Sequence, residues 1–265
     1  MPSRLSVEFV YQLFALLMAV ILVHALYVGV VRPQARAAEA AYQLQIEADP
    51  DAVPEGSIWV VLRDYEQEAC LILMLWAMAL LAFKAVGVSR ERALLRDDLV
   101  PVHAGESILP EDTREYARSL EALPEPQRGF LYPRALYTAL HRFRSTRNIQ
   151  DVSDAVARVC EAESDRLDAE LTMIRYIAWA IPSFGFIGTV RGIGQAMGFV
   201  HKAVEGDISG VTASLGLAFN STFVALVLSI ILMFLLYQLQ LAQERVVLDT
   251  QTACERGLIQ NLQSR

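Results

Sequence analysis

Residues 179–200 read WAIPSFGFIGTVRGIGQAMGFV, residues 201–209 read HKAVEGDIS, and residues 210–240 read GVTASLGLAFNSTFVALVLSIILMFLLYQLQ. Two long apolar segments flank a polar link too short to be a domain. Both segments keep Gly, Ser, Thr and Asn through their middles. Apolar helices decorated in this way pack on other helices as well as on lipid. The stretch predicts a transmembrane helical hairpin, and with it an all-α integral membrane protein.

The small residues fall in register. Gly185, Thr189, Gly192 and Ala196 recur at helical spacing and form a stripe down one face of the first segment. Gly188–Gly192 and Gly194–Gly198 are GxxxG pairs, which permit close backbone approach. Ser214, Ala218, Ser221 with Thr222, Ala225 and Ser229 make a matching stripe on the second segment. Thr189 and Thr222 stand equally far from the middle of the link, between Glu205 and Gly206. A symmetric hairpin therefore puts both hydroxyls at one depth inside the bilayer. Each hydroxyl could bond back to its own i−4 carbonyl and merely pack. The paired depth, with Asn220 and Ser221 alongside, favours a shared polar layer.

Composition sets the class. The chain has 265 residues, 54% of them hydrophobic and 20% charged, with a net charge of -7. Clustered apolar residues indicate a membrane protein with a modest soluble part. The acidic balance argues against a nucleic-acid binder. Cys70, Cys160 and Cys254 are scattered, with no CxxC and no His at metal-ligand spacing. No nucleophile–base pair, phosphate loop or metal cluster is present in the sequence, and His103 and His141 stand alone, so an enzyme is not expected.

Two further spans precede the hairpin. Residues 9–31 carry no charge, and about 20 such residues cross the hydrocarbon core. A signal peptide is the rival reading, since Ala35-Arg36-Ala37 resembles a cleavage site. The apolar run is too long for a signal core and only Arg4 charges its front, so a retained anchor is expected. His24 within it reads as a histidine near the membrane surface or between helices; a proton relay is the sharper alternative. Residues 32–68 form a polar link with Arg32, Arg36 and Arg63 against eight acidic residues. Its helical start breaks at the turn-rich DPDAVPEG, residues 49–56. Residues 69–88 make the second span, interrupted only by Lys84, whose stem can reach the interface.

The predicted organisation is an N-terminal hairpin over 1–88, a helical cytoplasmic region over 89–174, the hairpin over 175–243, and a C-terminal helix over 244–265. The central region has helices over 133–147 and from Asp151, a plausible cap. With no breaker before Pro182, the second of these should run without a turn into span three. Lys and Arg number three in the 32–68 link and thirteen over 89–175. The positive-inside rule therefore places the link outside and both termini in the cytoplasm, in agreement with Arg245, Arg256 and Arg265. None of the four spans so drawn contains Asp or Glu. A chain that moves H⁺ or Na⁺ by itself usually needs an intramembrane carboxylate, so a titrating group must come from a partner helix.

At residues 182–193 the sequence PSFGFIGTVRGI resembles the P-x-x-G-x-x-G-T-V-x-G signature of the MotA/TolQ/ExbB proton-channel family. The second segment is similar to that family's last helix, with Ser221 and Thr222 at its hydroxyl pair. The likeness covers roughly residues 145–241, and the four-span layout is nearer to MotA than to TolQ or ExbB. It implies a ring, typically a pentamer, in the bacterial inner membrane. The ring surrounds two transmembrane helices of an ExbD-, TolR- or MotB-like single-span partner whose aspartate carries the ion. Thr189, Thr222, Ser221 and Asn220 would line the ion path. Gly185, Gly188, Gly192, Ser214, Ala218 and Ala225 would pack helices or subunits, and Pro182 would be a structural element. No cofactor is implied beyond the transported H⁺ or Na⁺. The implied activity is ion-driven motor work; the alternative is a non-conducting scaffold with the same ring. Arg191 stands where the family has a neutral residue and is expected to face a neighbouring subunit or to snorkel outward. Ala225 replaces a usual Gly, and span four lacks a common Pro.

Overall fold

The structure, a computed structural model, describes residues 7–48, 56–97, 99–101 and 107–263. His103, residues 49–55 of the expected break, Arg4 and Arg265 lie outside the described residues. Among those described, regular structure is helical apart from one isolated bridge between Ile108 and Leu262. Among the described residues, four helices are long and apolar enough to cross a membrane: Phe9–Gln45, Tyr65–Leu94, Ile149–Gly198 and Ser209–Asn261. The protein is a membrane protein of the all-α class.

The chain divides into two compact units. The first is built from Met1–Ala82 and Met173–Leu236. It starts with α1 (Val7–Leu26), a π-helical turn (Tyr27–Val31) and α2 (Arg32–Ala48). Ala15, Ala19, Val23, Tyr27, Val31 and Ala35 are buried along this run, one residue in every four. Four residues overshoot a full α-helical turn by about 40°, so such a stripe drifts around a regular helix. The wider π turn in its middle brings the stripe back to one face. A short helix α3 (Ile58–Leu62) follows, and then α4 (Tyr65–Leu94) begins.

Here the structure corrects the sequence reading. The helix of span two starts at Tyr65, and Glu66, Gln67 and Glu68 of its first turn are buried. Glu66 and Glu68, assigned to the external link, are buried at the start of this helix.

The hairpin is formed by α9 (Thr172–Gly198) and α11 (Ser209–Gly257), joined through α10 (Val200–Val204) and Gly206 at φ 101°. That left-handed conformation suits glycine, which has no Cβ to clash. At 49 residues α11 is about 74 Å long, more than twice the roughly 30 Å hydrocarbon core. The outer faces of the hairpin are apolar: Trp179, Phe186, Val190, Phe219, Phe223 and Ile230 are exposed in the isolated chain.

The second unit comprises Phe83–Thr172 and Tyr237–Arg265. Its core lies between α7 (Leu131–Thr146) and α8 (Ile149–Glu170), where Leu136, Leu140, Phe143, Val152 and Val156 are buried with Cys254 and Leu258. Two shorter helices, α5 (Thr113–Glu121) and α6 (Glu125–Arg128), precede them. Arg147 ends α7 at φ 53°, and its N–H reaches the Phe143 carbonyl at 2.8 Å. The cap of α8 is Asn148, whose side chain accepts from the Gln150 N–H at 3.0 Å, and not Asp151. Ile149–Gly198 runs on as one long helix, in line with the expectation, with only a one-residue irregularity at Leu171, still right-handed helical, marking α8 from α9. Lys84 does not simply reach for the interface; its Nζ lies 2.7 Å from Glu170 Oε2. Glu163, almost fully buried, accepts from Arg134 at 2.5 Å and also from Arg166. Burial pushes its carboxyl up, but the two guanidinium groups outweigh this and hold it below the usual carboxylate range.

Candidate functional site in the hairpin

The two small-residue stripes close on each other. A Cβ added at Gly185 would come within 2.5 Å of Ala225 Cβ and 3.2 Å of the Ser221 carbonyl oxygen. One added at Gly188 would strike the Ser221 side chain, and one at Gly192 would lie 2.7 Å from the Ser214 carbonyl oxygen. Gly185, Gly188 and Gly192 are glycines because the facing helix occupies the space of a side chain. By contrast, Gly194 and Gly198 meet nothing within 4 Å. Of the two GxxxG pairs, only Gly188–Gly192 packs within the chain.

Pro182 lies inside α9 and cannot donate to the carbonyl four residues earlier, that of Ala178. Ser229 on α11 supplies the missing donor, its Oγ 3.2 Å from the Ala178 oxygen. The serine of one stripe thus satisfies the vacancy made by the proline of the other helix.

At the centre of the seam the Thr189 and Thr222 hydroxyls hydrogen-bond to each other. Thr189 Oγ1 also lies 3.3 Å from the Gly185 oxygen of its own helix and 3.2 Å from the Ala218 oxygen opposite. Thr222 Oγ1 mirrors it, 3.3 Å from Ala218 O and 3.2 Å from Gly185 O. Both readings of the sequence are therefore present together, because each hydroxyl reaches its own i−4 carbonyl and the other helix. Two hydroxyls carry two protons, fewer than the oxygen pairs within reach. The cluster is rich in acceptors and poor in donors.

The other expected members divide. Ser221 is buried beside the pair and donates back within its own helix, 3.0 Å from both the Leu217 and Ala218 oxygens. Asn220 is half-buried and makes no hydrogen bond to another described residue. At 100° per residue it lies about 200° around the helix from Thr222, away from the seam.

Sequence reasoning missed a charged layer beside the hydroxyls. Arg191, partly exposed, does not stand alone: Nη2 is 2.8 Å from Glu66 Oε2 and 4.0 Å from Asp64 Oδ1. The Glu66 stem lies 3.2 Å from where a Gly188 Cβ would be. A second arm joins Glu68 to Arg32 at 2.5 Å and to His24 Nδ1 at 2.7 Å. The expectation that His24 stands at the surface or between helices becomes a specific contact with a buried carboxylate. Arg32 is also stacked over Tyr65, 4.6 Å from the ring centre. Among the described residues of this unit, Tyr27 OH, Gln67 Oε1 and Arg191 Nε are buried without hydrogen-bond partners. The run Asp64-Tyr65-Glu66-Gln67-Glu68 was the available signal, because alternating carboxylates next to a span need cations in the fold.

Residues 131–252 match the MotA/TolQ/ExbB proton channel family. This stretch contains the whole hairpin seam. No curated protein and no solved structure matches the chain.

Proposed function

From a chain that carries a MotA/TolQ/ExbB proton channel family domain over residues 131–252, we infer a ring-forming subunit of an ion-driven inner-membrane motor. The family is one of membrane ion channels rather than enzymes. In this reading several copies, typically five, enclose two helices of an ExbD-, TolR- or MotB-like partner. The partner's aspartate takes up and releases H⁺ or Na⁺, and ion flow drives one component against the other.

The observation that carries the reading is the Thr189–Thr222 cluster. Its hydroxyl and carbonyl oxygens outnumber their protons, so it offers lone pairs at one depth to a passing hydrated proton or hard cation. A purely structural pair would be served by one bond to each i−4 carbonyl. Pro182 with Ser229, and the three occupied glycine positions, hold the two helices close enough for the hydroxyls to meet.

The test is to purify the complex from native membranes through a tag on this chain and to count copies by native mass spectrometry. Proton and sodium uptake are then followed in vesicles under imposed gradients. A ring with a single-span aspartate-bearing partner and gradient-driven uptake is expected. A ring whose function ignores both gradients would make it a non-conducting scaffold; no ring at all would remove the reading.

A further inference from the structure

Arg191 poses a physical problem that the hydroxyl cluster does not solve. It follows Thr189 by two residues, about 3 Å along the helix axis and about 200° around it, so the two side chains leave α9 on different faces. A bare guanidinium at nearly the depth of the hydroxyls raises the energy of a cation passing them even from another face of α9, because the low dielectric of a helix bundle lengthens the reach of the repulsion. The chain nevertheless keeps an arginine there, with its carboxylate partner 125 residues away in sequence.

We propose that Glu66 is the fixed counter-charge of Arg191, and that the pair acts as one neutral unit that keeps the cation route beside Thr189 and Thr222 open. The proposal rests on the conducting role inferred above. Three observations carry it. Glu66 is buried, though it sits at the start of a helix where solvent would suit it better, and its Oε2 is 2.8 Å from Arg191 Nη2. Its stem is wedged against Gly188, the residue that also receives the Ser221 side chain, so the carboxylate is anchored next to the hydroxyl layer. Asp64 stands 4.0 Å from the same guanidinium nitrogen, as a second and more distant anion. Glu66 here is a positioning residue: it acts on the ion through Arg191 and does not itself carry it.

A structural tie and a counter-charge differ in what the double variant does. If the pair only fastens α4 to α9, removing both partners leaves the tie broken. If the pair matters for its charge balance, removing both takes out one charge of each sign and restores the original net charge. Uptake is measured in vesicles holding the complex from native membranes, with a pH-sensitive dye for protons and radioactive sodium for Na⁺. Assembly is checked by native mass spectrometry. Glu66→Gln should lower uptake at least about tenfold with the ring intact, because it leaves Arg191 with only the more distant Asp64, 4.0 Å away. Glu66→Gln combined with Arg191→Gln should recover at least about half of the wild-type uptake. Undiminished uptake in Glu66→Gln overturns the counter-charge alone, as does a double variant no better than the single one. Absent uptake in the wild-type complex overturns both this proposal and the conducting role on which it rests.

Discussion

Ser229 donates to the carbonyl of Ala178, the very oxygen that Pro182 leaves without its helical N–H. Ser229 and Ala178 are 51 apart in sequence, and their bond fills the acceptor site that the proline leaves open. Ser229→Ala should therefore leave a buried carbonyl unpaired and cost about 1–3 kcal/mol. Adding Pro182→Ala returns the N–H and should recover most of the loss. Thermal unfolding of the purified chain in detergent measures both; equal melting temperatures for wild type and Ser229→Ala would refute the pairing.

Replacing either threonine of the seam by valine keeps shape and removes one hydroxyl. The surviving hydroxyl retains its own i−4 carbonyl, so the fold should hold to within about 1 kcal/mol. Ion uptake should fall about tenfold or more, equivalent to roughly 1.4 kcal/mol on the barrier. Uptake at wild-type level in both Thr189→Val and Thr222→Val would strip the pair of its transport role.

The glycines offer a matched comparison. Gly192→Ala places a methyl 2.7 Å from a backbone oxygen and 2.9 Å from the Ala218 nitrogen, groups that move only with the helix. A loss of about 1–3 kcal/mol is expected from such overpacking. Gly194→Ala, two residues on in the same helix, meets open space and should be neutral to stabilising by up to about 1 kcal/mol in the isolated chain. Unfolding midpoints in the same detergent would check the contrast, and equal losses at both sites would contradict the packing described.

Glu163 gives a pH dependence with a definite sign. Its carboxyl is held below the ordinary value by Arg166 and Arg134, so the folded state favours the charged form. The stabilisation is present above the unfolded value of about 4.3 and is lost as pH falls through the lower folded value. Glu163→Gln should flatten that acid limb while lowering stability at neutral pH, which unfolding followed by circular dichroism between about pH 2 and 7 would measure. An unchanged acid limb in the variant would assign it to other carboxylates.

The hairpin was legible in sequence because its signals are local and periodic. Small residues at helical spacing put Gly185, Gly188 and Gly192 on one face, and the symmetric placement of Thr189 and Thr222 anticipated their contact. Periodicity could not say which small residues meet a neighbour, so Gly188–Gly192 and Gly194–Gly198 read alike. Asn220 was grouped with the hydroxyls by adjacency, while helical geometry turns it away.

The charged layer was illegible for a different reason. A carboxylate is costly in hydrocarbon, so the limits of span two were drawn to exclude Asp64, Glu66 and Glu68. Tertiary pairing with Arg191, Arg32 and His24 removes that cost and lets the helix begin earlier. Arg191 is expected to face a neighbouring subunit or to snorkel outward, and no local pattern links it to Glu66, 125 positions away.

The π turn at Tyr27–Val31 has a consequence for how this chain tolerates change in length. It behaves as one extra residue absorbed into an otherwise regular helix. Deleting any one residue there would let the regular winding resume, and the side chains on either side would rotate by about 100° relative to each other. Arg32 would then swing off Glu68 while Ala15 and Ala19 kept their places. Homologous chains should therefore tolerate substitutions across these five positions far better than a single-residue gap.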